Sequence, residues 1–220
     1  MAMRPTAPVL VDVLAQSRTE GFLGPGPVED HMRHSQGFAT AAGSVPDRFL
    51  DLGAGGGVPG LALLLMWPRS HGVLLDSSER RTQFLQRAVR ALGLEGRTDV
   101  VRARAEEAGR DVGWRSRFTM VVARGFGPPA VTAECGSPFL ALGGSLVVSE
   151  PPPAIEGEPA EGETGSETGR WPASGLALLG LVDGGCRRLE EGRFRVLVQH
   201  ELCGPRFPRR TGVPAKRPLF

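Results

Sequence analysis

The chain has 220 residues, 40% of them hydrophobic, with a formal net charge of +2, so it can bury one core and its overall charge names no partner. Three widely spaced cysteines, Cys135, Cys186 and Cys203, suggest neither a disulfide framework nor a CxxC metal site. No apolar run reaches the roughly 18 residues of a membrane helix, and the opening MAMRPTAPVL lacks a secretory core, so a soluble, cytoplasmic protein is expected.

Residues 8–16, PVLVDVLAQ, suit a short helix, and GPGP at 24–27 breaks the chain before a second helix, VEDHMRHSQGFATAA, which carries Arg33 and His34. An alternation follows: strand RFLDLG, helix GLALLLMW, strand GVLLD, helix SERRTQFLQRAVRALG. In that last helix Phe84, Ala88, Val89 and Leu92 share one face and Gly93 marks the stop. Strands TDVVRA and FTMVVA, a helix from about Pro129 to Leu140, and strand GSLVVSE complete the rhythm. Short Val- and Leu-rich runs between helices imply a parallel sheet covered on both faces.

The stretch from 151 to 171 is Pro- and Glu-rich and reads as a flexible acidic insertion; Glu150 to Gly169 carries six Glu and no Lys or Arg. GLALLGL then suits a short helix, and CRRLEE with FRVLVQHEL a closing antiparallel hairpin. From Arg187 to the end there are nine Lys and Arg against three Glu, and the final GPRFPRRTGVPAKRPLF reads as a basic tail or arm, suited to phosphates, rather than a packed element. The expected organisation is a helical segment over 1–45, an α/β domain over 46–204 and a basic arm over 205–220.

Chemistry concentrates in FLDLGAGGGVPG. Asp51 lies on a strand, Gly53, Gly55 and Gly57 follow at steps of two, and Gly60 opens a helix whose amino terminus offers N–H groups. Asp76, closing the next strand, can accept hydrogen bonds from two ribose hydroxyls. A literal GxGxxG from Gly55 to Gly60 also fits a dinucleotide fingerprint. A methyltransferase loop needs no diphosphate contact and carries an acidic residue two positions before its first glycine. Asp51 meets that condition, which favours S-adenosyl-L-methionine. Leu61 and Ala62 stand where a P-loop needs Lys and Ser or Thr, and His31, His34, His71 and His200 provide no close metal set, so neither ATP hydrolysis nor a metal is expected.

The segments FLGPGPVEDHMRHS, LDLGAGGGVPGLALLLMWP, LLDSSERRTQFL, VRARAEEAG, VVARGFGP and RFPRRTGVPAKRPL, in that order and spacing, resemble the RsmG (GidB) family of 16S ribosomal RNA guanine-N7 methyltransferases. The resemblance implies a doubly wound, Rossmann-like class I methyltransferase with a mostly parallel seven-stranded sheet, an antiparallel last strand and short amino-terminal helices. It places Gly53, Val58, Ala105, Glu106 and Arg124 at S-adenosylmethionine, beside Asp51, Gly55, Gly57 and the ribose-binding Asp76. Toward RNA it implies Arg33, His34, Arg124, Arg206, Arg209, Arg210, Lys216 and Arg217.

No catalytic side chain is expected, because guanine N7 has an in-plane lone pair and no proton to remove; orientation does the work. The sequence departs from the family pattern in a shorter amino-terminal region, in Gly125 and Phe126 after the arginine, and in Ser149 and Glu150 where a Lys commonly ends the fifth strand. A carboxylate at the substrate mouth would repel phosphate. Another RNA or a small molecule as acceptor, or a noncatalytic RNA-binding role, are the alternatives this opens.

Overall fold

The strand segments alternate their side chains between two faces, and this period of two builds the core. The computed structural model describes residues 6–151 and 169–220, so most of the acidic insertion expected over 151–171 lies outside the described residues. The strands are β1 (Arg48–Leu52), β2 (His71–Asp76), β3 (Thr98–Arg102), β4 (Phe118–Ala123), β5 (Leu140–Glu150), β6 (Leu181–Leu189) and β7 (Gly192–Gln199). They form one seven-stranded sheet in the order β3-β2-β1-β4-β5-β7-β6. β3 through β5 run parallel, and β7 pairs antiparallel with both β5 and β6.

Phe49, Leu74, Met120, Val122, Val147 and Phe194 point to one face, where α1 (Thr6–Thr19), α2 (Val28–Ala42), α3 (Gly60–Met66) and α4 (Glu79–Ala91) cover them. Leu50, Leu52, Val73, Leu75, Val121 and Leu146 point to the other, under α5 (Ala105–Ala108), α6 (Pro129–Gly136) and α7 (Ala173–Ala177). Both faces are buried, which is why the parallel strands read as continuous apolar runs. α4 shows how sequence sets a helix: Phe84, Leu85, Ala88 and Val89 form its buried stripe, Ser78 caps its start, and Gly93 follows its end at φ +65°. The chain winds outward from β1 through β2 to β3, then returns to β4 on the other side of β1. The crevice at the carboxyl ends of β1 and β4 is the topological switch point where such sheets bind ligands.

Three segments differ from the sequence expectation. β5 begins at Leu140, not Gly144, because Leu140 already pairs with Phe118, and a bulge with Gly143 at φ +76° takes up the residues before Ser145 pairs with Met120. β6 likewise starts at Leu181, its irregularity between Asp183 and Cys186 accommodating two glycines, one at φ +93°.

The largest difference is the closing stretch, which is packed rather than trailing. Phe207 is buried, Arg115 donates to the carbonyls of Cys203, Gly204 and Phe207, and Arg110 donates to that of Pro208 at 2.8 Å. A short helix, α8 (Val213–Lys216), lies against α6. Four prolines and no period gave no local signal of order; side chains from the α/β domain supply it by capturing the segment's backbone carbonyls.

Candidate functional site

The glycine loop between β1 and α3 is held between two carboxylates. Asp51 Oδ2 accepts the Gly60 N–H at 2.8 Å, and Asp76 Oδ2 accepts the Gly55 N–H at 2.9 Å. The Gly53 and Ala54 N–H groups both donate to the Leu75 carbonyl at 2.9 Å, so β2 fixes the start of the loop. Asp76 Oδ1 accepts the Ser78 N–H at 2.8 Å, which orients that carboxylate at the crevice. Gly53 has φ +74°, and a Cβ there would stand 2.7 Å from the Phe126 ring. Only glycine allows both the turn and the approach of Phe126. From the other side α1 leans on the loop through Ser17, whose hydroxyl donates to the Gly56 carbonyl at 2.9 Å.

Beside the loop lies a cavity of about 480 Å³. Its wall includes Gly53, Asp76, Ala105 and Glu106 of the expected residues, together with Ser77, Arg81, Arg104, Phe126, Val131, Cys135 and Ala215, none of which the sequence placed at the cofactor. Gly55, Gly57, Val58, Asp51 and Arg124 do not line it; Val58 belongs to the apolar cluster under the loop. Glu106 is 5% exposed, and its Oε1 accepts the Gly212 N–H at 3.0 Å and faces Arg104. Burial pushes that carboxyl up, but the Gly212 N–H, its own N–H and Arg104 together hold it below the usual range. The closing segment therefore touches the cavity twice, through Gly212 on Glu106 and through Ala215 in the wall. Burial pushes the Cys135 thiol upward, so it stays protonated.

Asp51 and Arg124 form a second feature at the base of the crevice. Asp51 is 1% exposed, and its Oδ1 has no hydrogen-bond partner among the described residues. Burial pushes its carboxyl up to about 7, opposed by the Gly60 N–H, with Asp76 adding to the rise and Arg124 countering it. Arg124 follows β4; its Nη2 lies 2.6 Å from His31 Nδ1, and its Nη1 is buried with no partner among the described residues. A buried carboxylate oxygen and a buried guanidinium nitrogen are thus both left to be satisfied, a costly state without a partner. Their opposite charges match a zwitterionic amino-acid group.

The matched family model is that of rRNA small subunit methyltransferase G (GidB), over residues 29–163. The chain belongs to this family. A ribosomal RNA small subunit methyltransferase G of Rubrobacter xylanophilus is 37% identical over 179 residues, covering 78% of this chain and 65% of that protein. One from Syntrophomonas wolfei is 33% identical over 200 residues, covering 89% of this chain and 87% of that protein. The fold matches that of the O-methyltransferase from Bacillus cereus in complex with SAH, with a TM-score of 0.58 at 15% identity over 90% of this chain and 93% of that one. The sheet is therefore the Rossmann-like sheet of the methyltransferases.

The structure separates the residues expected to face RNA into exposed and packed ones. Arg33, Arg206, Arg210, Lys216 and Arg217 are exposed, Arg33 within reach of Asp30 at 2.6 Å and Arg206 over the Phe207 ring. Arg209 is instead bound to Glu134 of α6, which is fully buried: its Nη2 lies 2.6 Å from Oε2, while its backbone N–H and Nε reach Oε1 at 2.8 and 2.9 Å. His34 is likewise a packing residue. Its ring packs edge-on against Phe38 and at a tilt against Phe194, and its Nδ1 lies 2.9 Å from the Glu191 carbonyl oxygen. The histidine at the site is His31, one turn earlier. Helical spacing puts both on one side of α2, and only the packing against the β7 hairpin separates them.

Glu150, expected at the substrate mouth, is 5% exposed; Trp171 Nε1 donates to its Oε1 at 2.6 Å and Arg170 Nε to its Oε2 at 3.2 Å. Its charge is compensated within the fold rather than facing a phosphate. Among the described residues no group of three or more His, Cys, Asp or Glu could hold a metal ion, and no helix is long and apolar enough to cross a membrane.

Proposed function

We propose that the protein transfers a methyl group from S-adenosyl-L-methionine to N7 of a guanine in small-subunit (16S) ribosomal RNA, in the cytoplasm. The observation that carries the reading is the pair of buried atoms Asp51 Oδ1 and Arg124 Nη1, without partners among the described residues, close to the glycine loop in a member of this family. These residues fit the cofactor. Asp51 would hold the ammonium and Arg124 the carboxylate of its amino-acid end, Asp76 the ribose hydroxyls, and the backbone at Ala105 and Glu106 the adenine edge. Gly53 would meet the cofactor at the cavity wall, while Gly55, Gly57 and Val58 shape the loop behind it.

When bound, the cofactor supplies an electrophilic methyl on a sulfonium sulfur. Guanine N7 carries a lone pair and no proton, so accepting that methyl would call for no general base from the chain. The protein need only hold the guanine edge in line with the methyl group and exclude water, which matches a cavity whose one ionisable thiol, Cys135, is kept neutral. Reaching the base requires lifting it from its stack, and the exposed Arg33, Arg206, Arg210, Lys216 and Arg217 supply cations for the neighbouring phosphates.

Labelled S-adenosylmethionine incubated with small ribosomal subunits lacking the modification tests the reading. Label mapped to one guanine N7 is the expected result; cofactor binding without transfer to those subunits would overturn the acceptor and leave the methyltransferase site standing.

A further inference from the structure

We propose that His31 is a positioning residue for Arg124: it anchors one arm of the guanidinium so that the other is presented to the cofactor, and it releases that arm when the imidazole takes up a second proton. The proposal rests on the methyltransferase reading above.

His31 is 6% exposed on α2, and both ring nitrogens are engaged. Nε2 lies 3.2 Å from the Gly24 carbonyl oxygen, which can only accept, so Nε2 carries the hydrogen. Nδ1 is then a bare lone pair, and Arg124 Nη2 donates to it at 2.6 Å. The tautomer is thus fixed by the GPGP loop, and the guanidinium is fixed by the tautomer. A planar guanidinium pinned at one terminal nitrogen has little freedom to turn its other, and Nη1 is the buried nitrogen left without a partner among the described residues. Asp51 attracts the same group but lies outside the distance of an ion pair, so it pulls on Arg124 without holding it. The hydrogen-bonded anchor is His31.

An anchor of this kind depends on protonation. Doubly protonated imidazole has no acceptor, and its charge would stand against a guanidinium 2.6 Å away. The charged and titratable groups facing His31 are Arg124 after β4, Arg18 on α1, and Asp30 and His34 on its own helix. Burial and then Arg124 hold the imidazole below 6.5, outweighing the Gly24 carbonyl and Asp30, while Arg18 works in the same sense as Arg124. His31 is therefore neutral, and anchoring, at neutral pH, and the anchor is lost only on acidification below 6.5.

Two variants separate anchoring from space filling. His31→Leu removes both ring nitrogens, whereas His31→Asn keeps an acceptor near the position of Nδ1 and cannot be protonated. Binding of S-adenosylmethionine is measured by calorimetry from pH 5 to 8, with methyl transfer and thermal unfolding alongside. His31→Leu should bind roughly 10-fold or more weakly at pH 7.5, and His31→Asn within about 3-fold of the original. In the original protein the fall in affinity on acidification should involve two protons, one taken up by Asp51 from about pH 7 and one by His31 below 6.5; in His31→Asn only the first should remain. Unchanged affinity in His31→Leu, or an unchanged proton count in His31→Asn, overturns the proposal. If His31→Leu does not fold, the proton count of His31→Asn decides. Absence of cofactor binding by the original protein at every pH would instead overturn the methyltransferase reading.

Discussion

Replacing Arg209 with Ala should damage the fold, not merely the RNA surface on which the sequence places it. Glu134 is 0% exposed, and the acceptor sites that the Arg209 side chain fills are Oε1 at 2.9 Å through Nε and Oε2 at 2.6 Å through Nη2. Truncation leaves a buried carboxylate with the Arg209 backbone N–H as its remaining donor from that residue and also removes the donor to the Arg217 carbonyl. Breaking a buried pair from one side costs about 3–5 kcal/mol. Arg209 is itself 26% exposed, so water can enter the vacated space and the lower end, about 3 kcal/mol, is expected. For a chain of this length that corresponds to a melting temperature lower by roughly 6–12 °C.

Urea unfolding measures the loss directly, with Arg210→Ala, an exposed neighbour, expected to stay within about 0.5 kcal/mol. Because α6 and α8 both border the cavity beside the glycine loop, where the cofactor is proposed to bind, Arg209→Ala should also weaken cofactor binding. The double variant Arg209→Met with Glu134→Leu should recover most of the lost stability, since it removes both charges together. A loss below about 1 kcal/mol for Arg209→Ala would refute the assignment of this arginine to the fold.

Three other perturbations follow from the site. Asp51 holds its proton in the folded chain up to about pH 7 but releases it near 3.8 when unfolded, so stability should fall as pH rises between those values. Asp51→Asn should flatten that slope in thermal melts and abolish cofactor binding; parallel pH curves for the two proteins would sink the argument. Gly53→Ala meets both a φ of +74° and the Phe126 ring, and should lose roughly 10-fold or more in cofactor affinity with about 1–2 kcal/mol of stability. Adding Phe126→Ala should restore part of that affinity by removing the clash, and no restoration would show that the backbone strain alone is responsible. Arg210→Ala and Lys216→Ala should each reduce the slope of log affinity for small-subunit RNA against log salt by about 1, leaving cofactor affinity unchanged. A slope that does not move would remove these residues from the RNA surface.

The short-range features of the fold are written in local pattern. Continuous apolar runs at 48–52, 71–76 and 118–123 become strands because successive side chains point to opposite faces and both faces of the parallel sheet are buried, and α4 follows from a 3.6 period, a Ser cap and a Gly stop. The tight loop through Asp51, Gly53 and Asp76 is legible because turn geometry and a strand-ending carboxylate are properties of a few consecutive residues.

What remained illegible lies in pairings across long stretches of chain. Arg209 and Arg210 are adjacent and chemically identical, yet only one meets Glu134, 75 residues away. His31 and His34 share a helix side, and it is the packing of α2 on the β7 hairpin that sends His34 to Glu191 and Phe194 and leaves His31 for Arg124. Glu150, which as a letter suggests repulsion of phosphate, is neutralised by Arg170 and held by Trp171 at the far end of the insertion. The sequence by itself thus determined the elements, the glycine loop and the family, since these depend on residues close enough to constrain one another through backbone geometry. Only the tertiary structure decided which charges are buried and paired and which face outward, because desolvation is set by what packs over a side chain, and that comes from distant parts of the chain.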